Sequence, residues 1–343
     1  MAKFAILALL IVFCMNDSVI TVTGGTGYVG HRVAKKLAAE GHKIVAVDIV
    51  PPEERGIEFG DQIEYRQADL RIPEEAERAT ADADYVVHLA ADIGSLTYMD
   101  DYMDDILHNN CAIDCALYPA MVKNGTKHVI YSSTSMAFQH SSCYPYTEED
   151  LKDCPPPTNV YGFSKLAGEY HCRAYQKKKG LGYTILRYHN IYGPGEDSKG
   201  ATPGDIHVIP ALLEKVITKK QYPIELLGDP KATRPFTFVD DAVEATCIAV
   251  QKVLAGDEVM INNDFNVGNN RYYTIEELAQ VIWDMYGDDR PFSIERVDTK
   301  ANTALRREVN IQKIMDAFGW EPQTSLEDGL KPTAEWIKER DAA

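Results

Sequence analysis

A glycine-rich turn between a short apolar strand and a helix constrains the fold of this chain more than any other feature. The β-branched segment 19–23 predicts a buried strand, a Gly-x-x-Gly-x-x-Gly spacing follows it, and residues 32–40 have a helical pattern that ends at Gly41. Glycines in such a turn allow the backbone to approach a pyrophosphate, and the N–H groups that begin the helix face the phosphates. The pattern predicts a dinucleotide site, and its candidate residues are Gly24, Gly27, Tyr28, Val29 and Gly30.

Acidic residues after the next two strands indicate which dinucleotide to expect. Asp48 ends the predicted strand 43–48, where a carboxylate can bind both ribose hydroxyls of NAD and would repel the 2′-phosphate of NADP. No arginine follows Asp48 immediately, so the sequence favours NAD. Asp69 and Leu70 follow the third predicted strand, and we expect them to reach the adenine edge.

The alternation of strands and helices predicts the fold class. Further strands are expected at 63–67, 85–89, 128–132 and 183–187. With helical stretches between them, they predict an α/β fold built on a Rossmann-type doubly wound parallel sheet. After Arg187 the pattern becomes irregular, and helices expected near 209–218 and 330–340 indicate a smaller C-terminal α/β substrate domain. The stretch 99–124 is expected to be helical, with a kink or an interruption at Pro119.

We predict three segments along the chain. Residues 1–18 form an N-terminal apolar extension, and 19–188 form an NAD-binding Rossmann domain. Residues 189–343 form mainly the substrate domain, with part of 236–260 returning to the Rossmann domain. The apolar run 4–15 is shorter than the about 20 apolar residues that a membrane span needs, and no small-x-small cleavage site follows it. We interpret it as an extended or misassigned N-terminus rather than a signal or a membrane anchor, and we predict a cytoplasmic protein.

The charge and the cysteines of the chain argue against two classes of partner. Acidic residues outnumber basic ones 52 to 35, the formal net charge is -17, and no basic run offsets this field. Such a surface repels phosphate backbones, so we predict no nucleic-acid partner. The seven cysteines include no Cys-x-x-Cys pair, so we expect reduced thiols, no disulfide framework and no metal site.

Tyr161 and Lys165 form the candidate catalytic pair. Residues four apart on a helix lie on one face, so both side chains can enter one site. An ammonium near a phenol favours the phenolate, so we expect Lys165 to lower the pKa of Tyr161. Ser132, Ser133 and Thr134 end the preceding strand at the carboxyl edge, where open sheets bind ligands, and a hydroxyl there could share the substrate proton.

Motifs that follow one another along the chain resemble one enzyme family. Those that look like the extended short-chain dehydrogenase/reductases are TGGTGYVG (23–30), HLAA (88–91), YSST (131–134) and YGFSK (161–165). Two more, RYHNIYGP (187–194) and RPFTFVDD (234–241), match second-domain signatures of the nucleotide-sugar epimerase/dehydratase branch of that family. The resemblance extends from Val19 to the C-terminus, and it implies an NAD-dependent enzyme that acts on a nucleotide sugar.

The resemblance also implies roles for individual residues. Thr134, Tyr161 and Lys165 become the catalytic triad. The cofactor-binding residues that it adds are Leu89, Ala90, Ala91 and Ser132, beside Tyr161 and Lys165. The implied substrate-binding residues are Asp92, Gly94, Thr134, Tyr161, Asn190, Lys199, Arg234 and Arg306, with Arg307 as the alternative to Arg306 for a second phosphate clamp. A homodimer through the helices at 99–124 and 158–179 is implied as well.

Met136 indicates which reaction of the branch to expect. The 4,6-dehydratases place Asp-Glu directly after the catalytic threonine, the decarboxylases place Ser-Glu there, and the GDP-mannose 3,5-epimerases have a cysteine at the second position. This chain has Ser135-Met136, and a methionine cannot transfer a proton. The remaining reaction is inversion of a sugar carbinol through transient oxidation to a ketone. We expect it most simply at C4 of a UDP-hexose of the UDP-glucose/UDP-galactose type, through a 4-keto intermediate.

Three other functions stay open. The segments 90–94 and 187–190 look like those of the GDP-mannose 3,5-epimerases, and Lys199 could match their second proton-transfer group. An isomerase of that kind is the first alternative. A nucleotide-sugar reductase is the second, and it would consume added NAD(P)H. A catalytically silent dinucleotide-binding regulator is the third, and the intact triad argues against it.

Overall fold

The computed structural model describes residues 18–196, 207–298 and 304–342. The candidate residue Lys199 and the predicted N-terminal extension, except Ser18, lie outside these ranges. Among the helices that the structure describes, none is long and apolar enough to cross a membrane.

The strands alternate with helices in the first half of the chain and become shorter in the second half. In chain order the strands are β1 (Val19–Thr23), β2 (Lys43–Asp48), β3 (Ile63–Gln67), β4 (Tyr85–His88), β5 (His128–Thr134), β6 (Gly182–Tyr188), β7 (Ile191–Tyr192), β8 (Ile224–Leu227), β9 (Thr233–Pro235), β10 (Thr237–Phe238), β11 (Asn263–Val267), β12 (Tyr272–Thr274) and β13 (Ile294–Val297). The helices are α1 (Gly30–Ala39), α2 (Pro73–Ala79), α3 (Leu96–Asp101), α4 (Met103–Asn124), α5 (Val160–Lys179), α6 (Val208–Leu213), α7 (Val239–Leu254), α8 (Ile275–Tyr286), α9 (Gln312–Phe318) and α10 (Leu326–Ala342).

Seven parallel strands form the central sheet, in the order β3-β2-β1-β4-β5-β6-β11. This is the order of a Rossmann sheet, with β11 as the strand at one edge. The predicted α/β class and the doubly wound parallel sheet are confirmed. In this order the carboxyl ends of β1, β4 and β5 lie side by side, which brings the glycine-rich turn and Thr134 to the same edge of the sheet.

Alternating side chains of the central strands pack on opposite faces of the sheet. On β2, Ile44 and Ala46 belong to one buried apolar cluster, and Val45 and Val47 belong to another. Helices α1 and α7 contribute to the first cluster, whereas α2, α4 and α5 contribute to the second. The first cluster continues into α6, α8 and α10, so one apolar core joins the sheet to the C-terminal part of the chain.

Pairs of short strands organise the C-terminal part of the chain. β7 pairs with β10, β8 pairs with β13, and β9 pairs with β12 in the antiparallel direction. A parallel bridge between Thr233 and Arg306, and another between Tyr146 and Val309, bring the segment 304–310 against both β9 and the loop after β5.

Two details differ from the sequence prediction. The helical stretch 99–124 is interrupted at Tyr102, between α3 and α4, and α4 continues through Pro119 without the predicted break. A proline removes one backbone donor, and the packing of α4 between α2 and α5 maintains the helix. β11 was not predicted, because its sequence, Asn-Asp-Phe-Asn-Val, has only two apolar residues, Phe265 and Val267.

Candidate active site

The glycine-rich turn has no room for side chains at the positions where a pyrophosphate would approach. A Cβ atom on Gly30 would lie 2.8 Å from the carbonyl carbon of Gly24 and closer still to its oxygen. Gly24 itself has a φ of +66°, a conformation that glycine adopts without strain. Helix α1 starts at Gly30, and no side chain caps its N-terminus. The turn therefore offers free backbone donors at a helix N-terminus, which is what the phosphates of NAD require.

Asp48 is fixed at the end of β2 by the turn that it faces. Its two carboxylate oxygens accept hydrogen bonds from the backbone N–H groups of Thr26 and Val50, each at 3.1 Å. The side chain is buried, and a carboxylate has further lone pairs for two hydroxyl donors. This arrangement fits the adenosine ribose of NAD. Asp69, in contrast, bonds to Arg71 at 2.7 Å, and that bond lowers the pKa of Asp69, while Leu70 is buried.

The candidate catalytic residues meet where β5 ends beside the first turns of α5. The phenol of Tyr161 forms a hydrogen bond with the hydroxyl of Thr134, which in turn accepts a bond from the backbone of Met136 at 3.2 Å. The ammonium of Lys165 donates to the hydroxyl of Ser132 at 3.3 Å. All of these side chains are buried. Met136 packs in the same apolar cluster as Tyr161, so no acid or base occupies its position.

The ionisation of the pair differs from the prediction made from its spacing. Burial raises the pKa of Tyr161 well above its usual value, and only the hydrogen bond from Thr134 acts in the opposite direction. Lys165 does not lower it, because its ammonium faces Ser132 and lies 4.4 Å from the centre of the Tyr131 ring. Burial also lowers the pKa of Lys165, to about 8. The expectation that Lys165 lowers the pKa of Tyr161 is therefore wrong for this structure.

Two buried guanidinium groups lie near one another without an acidic partner among the described residues. Arg234 has a single hydrogen bond, to the backbone oxygen of Thr233, and the Nε atom of Arg307 has none. Burial, followed by repulsion from Arg307, lowers the pKa of Arg234 to about 9. Burial also lowers the pKa of Arg307. Two cations held in this way can bind an anion with at least two charges.

The structure separates the two arginines that the sequence could not rank. Arg306 is 54% exposed, bonds to Glu308 and lies over the ring of Tyr144. Arg307, one residue further, turns inward beside Arg234. Arg307 therefore fits the second phosphate clamp better than Arg306.

The remaining candidate residues lie on loops at the same edge of the sheet. Leu89, Ala90 and Ala91 follow β4 and are partly buried, and the N–H of Ala90 is bonded to Thr23. Asp92 accepts hydrogen bonds from Tyr98 and Asn109, so its carboxylate is already engaged. A Cβ atom on Gly94 would strike the ring of Tyr98. Asn190 donates to the backbone of Pro235 and has a φ of 44°.

Sequence reasoning missed a carboxylate and an imidazole at this edge. Glu196 bonds to the Nδ1 atom of His207 at 2.7 Å, and His207 also bonds to the backbone of Gly94. The second carboxylate oxygen of Glu196 is buried without a partner, as is the hydroxyl of Tyr28 on the glycine-rich turn. Burial is the largest single influence and lowers the pKa of His207, but the hydrogen bond to Glu196, the charge of Glu196 and the backbone bond to Gly94 together outweigh it, and the net shift is upward. Neither residue belongs to a motif, so no pattern in the sequence indicated them.

Comparison with known proteins identifies the family. The model of the NAD dependent epimerase/dehydratase family matches residues 20–268. The chain belongs to this family. The predicted family, the prediction of an NAD-dependent enzyme and the prediction of NAD as cofactor are thus confirmed, and the glycine-rich turn with Asp48 fits that cofactor.

Relatives within the family differ in their substrates. The GDP-mannose 3,5-epimerase 1 of Oryza sativa subsp. indica is 30% identical over 325 residues, which cover 94% of this chain and 82% of that protein. The UDP-glucose 4-epimerase of Corynebacterium glutamicum is 28% identical over 319 residues, which cover 89% of this chain and 91% of that protein. The crystal structure of UDP-glucose 4-epimerase with UDP-glucose from Thermotoga maritima superposes with a TM-score of 0.80 at 27% identity, covering 94% of this chain and 99% of that one.

Proposed function

We propose that this enzyme inverts a carbinol of a nucleotide sugar, at C4 of a UDP-hexose of the UDP-glucose/UDP-galactose type. The observation that carries the proposal is the convergence of Thr134, Tyr161 and Lys165 at a site where Met136 occupies the position of a further acid or base. Oxidation and reduction at one carbinol need only the triad and NAD. Elimination, decarboxylation and epimerisation next to a ketone need an additional proton-transfer group.

The chain's own residues manage the proton of the substrate hydroxyl. Bound NAD supplies a reversible hydride acceptor. Tyr161 accepts the C4 hydroxyl proton as C4 is oxidised and returns it when the ketone is reduced from its other face. Thr134, whose hydrogen bond to the phenol favours the phenolate, shares that proton. The ammonium of Lys165, bonded to Ser132, adds a positive charge to the site in which the proton moves.

The diphosphate would anchor the substrate while the sugar rotates and changes the face that it presents to the cofactor. Arg234 and Arg307 supply two buried guanidinium groups whose charge no described acidic residue neutralises. Each can bind phosphate oxygens through paired N–H donors. Anchoring far from the reacting carbon allows the ketone to rotate and present its other face to the hydride donor without leaving the site. We also propose Asn190, Gly94 and Asp92 as substrate-binding residues, with Asn190 at the diphosphate.

A GDP-mannose 3,5-epimerase-like reaction is the second candidate. The similarity to the rice GDP-mannose 3,5-epimerase 1 over 94% of this chain favours it. It requires proton transfer at C3 and C5, and Met136 cannot take part. Lys199, the group proposed for that transfer, lies outside the described residues.

Proton NMR in D₂O distinguishes the two candidates. The purified protein, without added cofactor, is incubated with UDP- and GDP-sugars, and the anomeric and ring signals are followed. We expect a C4 epimer without deuterium incorporation, because hydride returns to the carbon that it left. Deuterium at C3 or C5 would refute C4 inversion and support the second candidate.

A substitution in the triad tests the mechanism itself. Tyr161→Phe should retain NAD, because the glycine-rich turn and Asp48 are unchanged, and it should lose turnover. Unchanged turnover would remove Tyr161 from the reaction. Consumption of stoichiometric NAD(P)H by the wild-type protein would favour a reductase instead.

We further propose the domain division and the assembly. Residues 19–188 bind NAD, and 189–343 mainly bind the substrate, with part of 236–260 returning to the first unit. A homodimer through α4 and α5 is supported by exposed aromatic side chains on α5, of which Tyr170 is 66% exposed. Light scattering that detects only monomer at micromolar concentration would refute the dimer. A cytoplasmic location follows from the intracellular supply of NAD and nucleotide sugars.

A further inference from the structure

Asp114 is a buried carboxylate that the proposed mechanism does not use. It lies on α4, 4% exposed, and a chain of hydrogen bonds fixes one of its oxygens. The backbone N–H of Ala90 donates to the hydroxyl of Thr23 at 3.2 Å, and that hydroxyl lies 2.7 Å from Nδ1 of His88. An ionised carboxylate can only accept, so Nε2 of His88 carries the proton and donates it to Asp114 at 3.0 Å. In the neutral ring Nδ1 is then the acceptor for the hydroxyl proton of Thr23.

The second oxygen of Asp114 lies against the helix that carries Lys165. A Cβ atom on Gly168 would lie 2.6 Å from this oxygen, so the glycine allows α5 to approach it. Gly168 is three residues after Lys165, and positions three apart share a face of a helix. Asp114 is consequently held beside the face of α5 that presents the ammonium of Lys165.

The ammonium of Lys165 is buried and has few partners. Its hydrogen-bond partner is the hydroxyl of Ser132, and the ring of Tyr131 lies beneath it. The titratable groups that face it are His88 on β4, Tyr131 on β5, Asp114 on α4, and Glu169 and Cys172 on α5. Glu169 already binds Arg187 through both of its oxygens, at 2.7 Å each. Among these groups Asp114 is the carboxylate without a cationic partner of its own.

We propose that Asp114 is a positioning residue for the catalytic lysine, the buried counter-charge that keeps Lys165 an ammonium at working pH. This role rests on the proposed function, because it acts through the triad. Burial lowers the pKa of Lys165 to about 8, and the charge of Asp114 is the largest influence in the opposite direction. Without that charge the pKa of Lys165 falls further, and a nearby opposite charge is typically worth about one to three pH units. At pH 8 the protonated fraction would then fall from about one half to about one tenth or less.

Asp114→Asn tests the charge while preserving the shape and the bond from His88. The matched control is Asp104→Asn, which removes the same charge from an exposed position on α4. We expect the decline of kcat at high pH to begin about one to three pH units lower in Asp114→Asn, and to be unchanged in the control. A loss of kcat that is equal at every pH would overturn the proposal, because a merely structural role predicts it.

Thermal unfolding supplies a measurement that needs no substrate. A lysine whose folded pKa lies below its unfolded pKa costs stability at low pH, and the cost disappears as pH rises through that interval. Asp114→Asn widens the interval between the folded and the unfolded pKa of Lys165, so the variant has the larger cost at pH 6 and loses that cost as the pH rises. Its Tm deficit relative to wild type should therefore shrink between pH 6 and pH 10. A deficit that is constant over this range refutes the interaction between Asp114 and Lys165. If the wild-type protein turns over no nucleotide sugar, the proposed function fails and the positioning role fails with it, whatever the Tm measurement gives.

Discussion

Replacing Arg234 with methionine should stabilise the fold and remove the affinity for a nucleotide diphosphate. Arg234 is 8% exposed, and burial followed by repulsion from Arg307 lowers its pKa from 12.5 to about 9. At about 1.36 kcal/mol per pH unit, this fall corresponds to roughly 5 kcal/mol of unfavourable charge burial. Because the folded pKa is the lower one, this cost applies at every pH below about 9, neutral pH included.

The expected gain is smaller than that figure. Local relaxation and water reduce the cost of a buried charge, so we expect Arg234→Met to raise the free energy of unfolding by about 1 to 3 kcal/mol. The carbonyl of Thr233 loses the guanidinium donor but keeps a hydrogen bond from the backbone of Arg307. The matched control is Arg306→Met, since Arg306 is exposed and paired with Glu308, and its change should stay within about 0.5 kcal/mol.

Urea unfolding with and without UDP or GDP measures both effects. At a nucleotide concentration about 100 times Kd, the wild-type protein should gain about 2.7 kcal/mol, and Arg234→Met should gain almost nothing. A variant Arg234→Met that unfolds at lower urea concentration than wild type would refute the cost of the buried charge, and equal stabilisation of variant and wild type by nucleotide would refute the anion site.

Three further outcomes test other parts of the site. Asp48→Ala should weaken NAD and bring NADP to within about tenfold of it in Kd, because no carboxylate remains to repel a 2′-phosphate. Gly30→Ala should lose NAD and lower the Tm, because its Cβ would collide with the backbone of Gly24. The bond between Glu196 and His207 raises the pKa of the imidazole against the lowering effect of burial, so its stabilisation is complete below pH 6.5 and is lost as pH rises through the raised value. The Tm deficit of His207→Gln should therefore be larger at pH 6 than at pH 9.

Controls for these outcomes come from the same chain. Glu58→Ala, at an exposed acid in the loop after β2, should leave the preference between NAD and NADP unchanged. Gly60→Ala, at an exposed glycine with open space around it, should retain NAD, although its φ of +66° means that the substitution strains the backbone and lowers the Tm. His42→Gln should have the opposite pH trend to His207→Gln, because burial lowers the pKa of His42. A preference for NAD in Asp48→Ala equal to that of wild type, or a His207→Gln deficit that grows with pH, would contradict the corresponding argument.

Local sequence patterns predicted the elements that carry the cofactor. The spacing of the glycines and the acid at the end of β2 depend on short-range backbone geometry, so residues near one another in the sequence are sufficient to recognise them. The formation of strand β11, and which of the two arginines turns inward, depend on residues that are distant in the sequence. β11 is defined by its pairing with β6, and Arg307 turns inward because the segment 304–310 is bridged to Thr233 and Tyr146. No local pattern contains that information.

The ionisation of the catalytic pair was predicted in the wrong direction for the same reason. The four-residue spacing between Tyr161 and Lys165 places both side chains on one face of α5, but it does not state where the ammonium points or how much water reaches the phenol. In the structure Ser132 and the Tyr131 ring receive the ammonium, and burial dominates the pKa of Tyr161. The burial of the phenol and the orientation of the ammonium depend on packing against β5 and α4, which cannot be predicted from a spacing within one helix.

The distribution of paired and unpaired charges separates the scaffold from the site. Beneath the sheet edge, Arg187 is fully buried and bonds to both Glu169 and Asp264, so each charge there has its partner in the chain. At the proposed substrate site, Arg234 and Arg307 are nearly as buried, have no acidic partner among the described residues, and have lowered pKa values. Since a buried unpaired charge is costly, such a pair is stable only where an outside anion completes it or where the rest of the fold compensates. That contrast, rather than any one motif, is the physical reason for assigning the substrate's diphosphate to these two arginines.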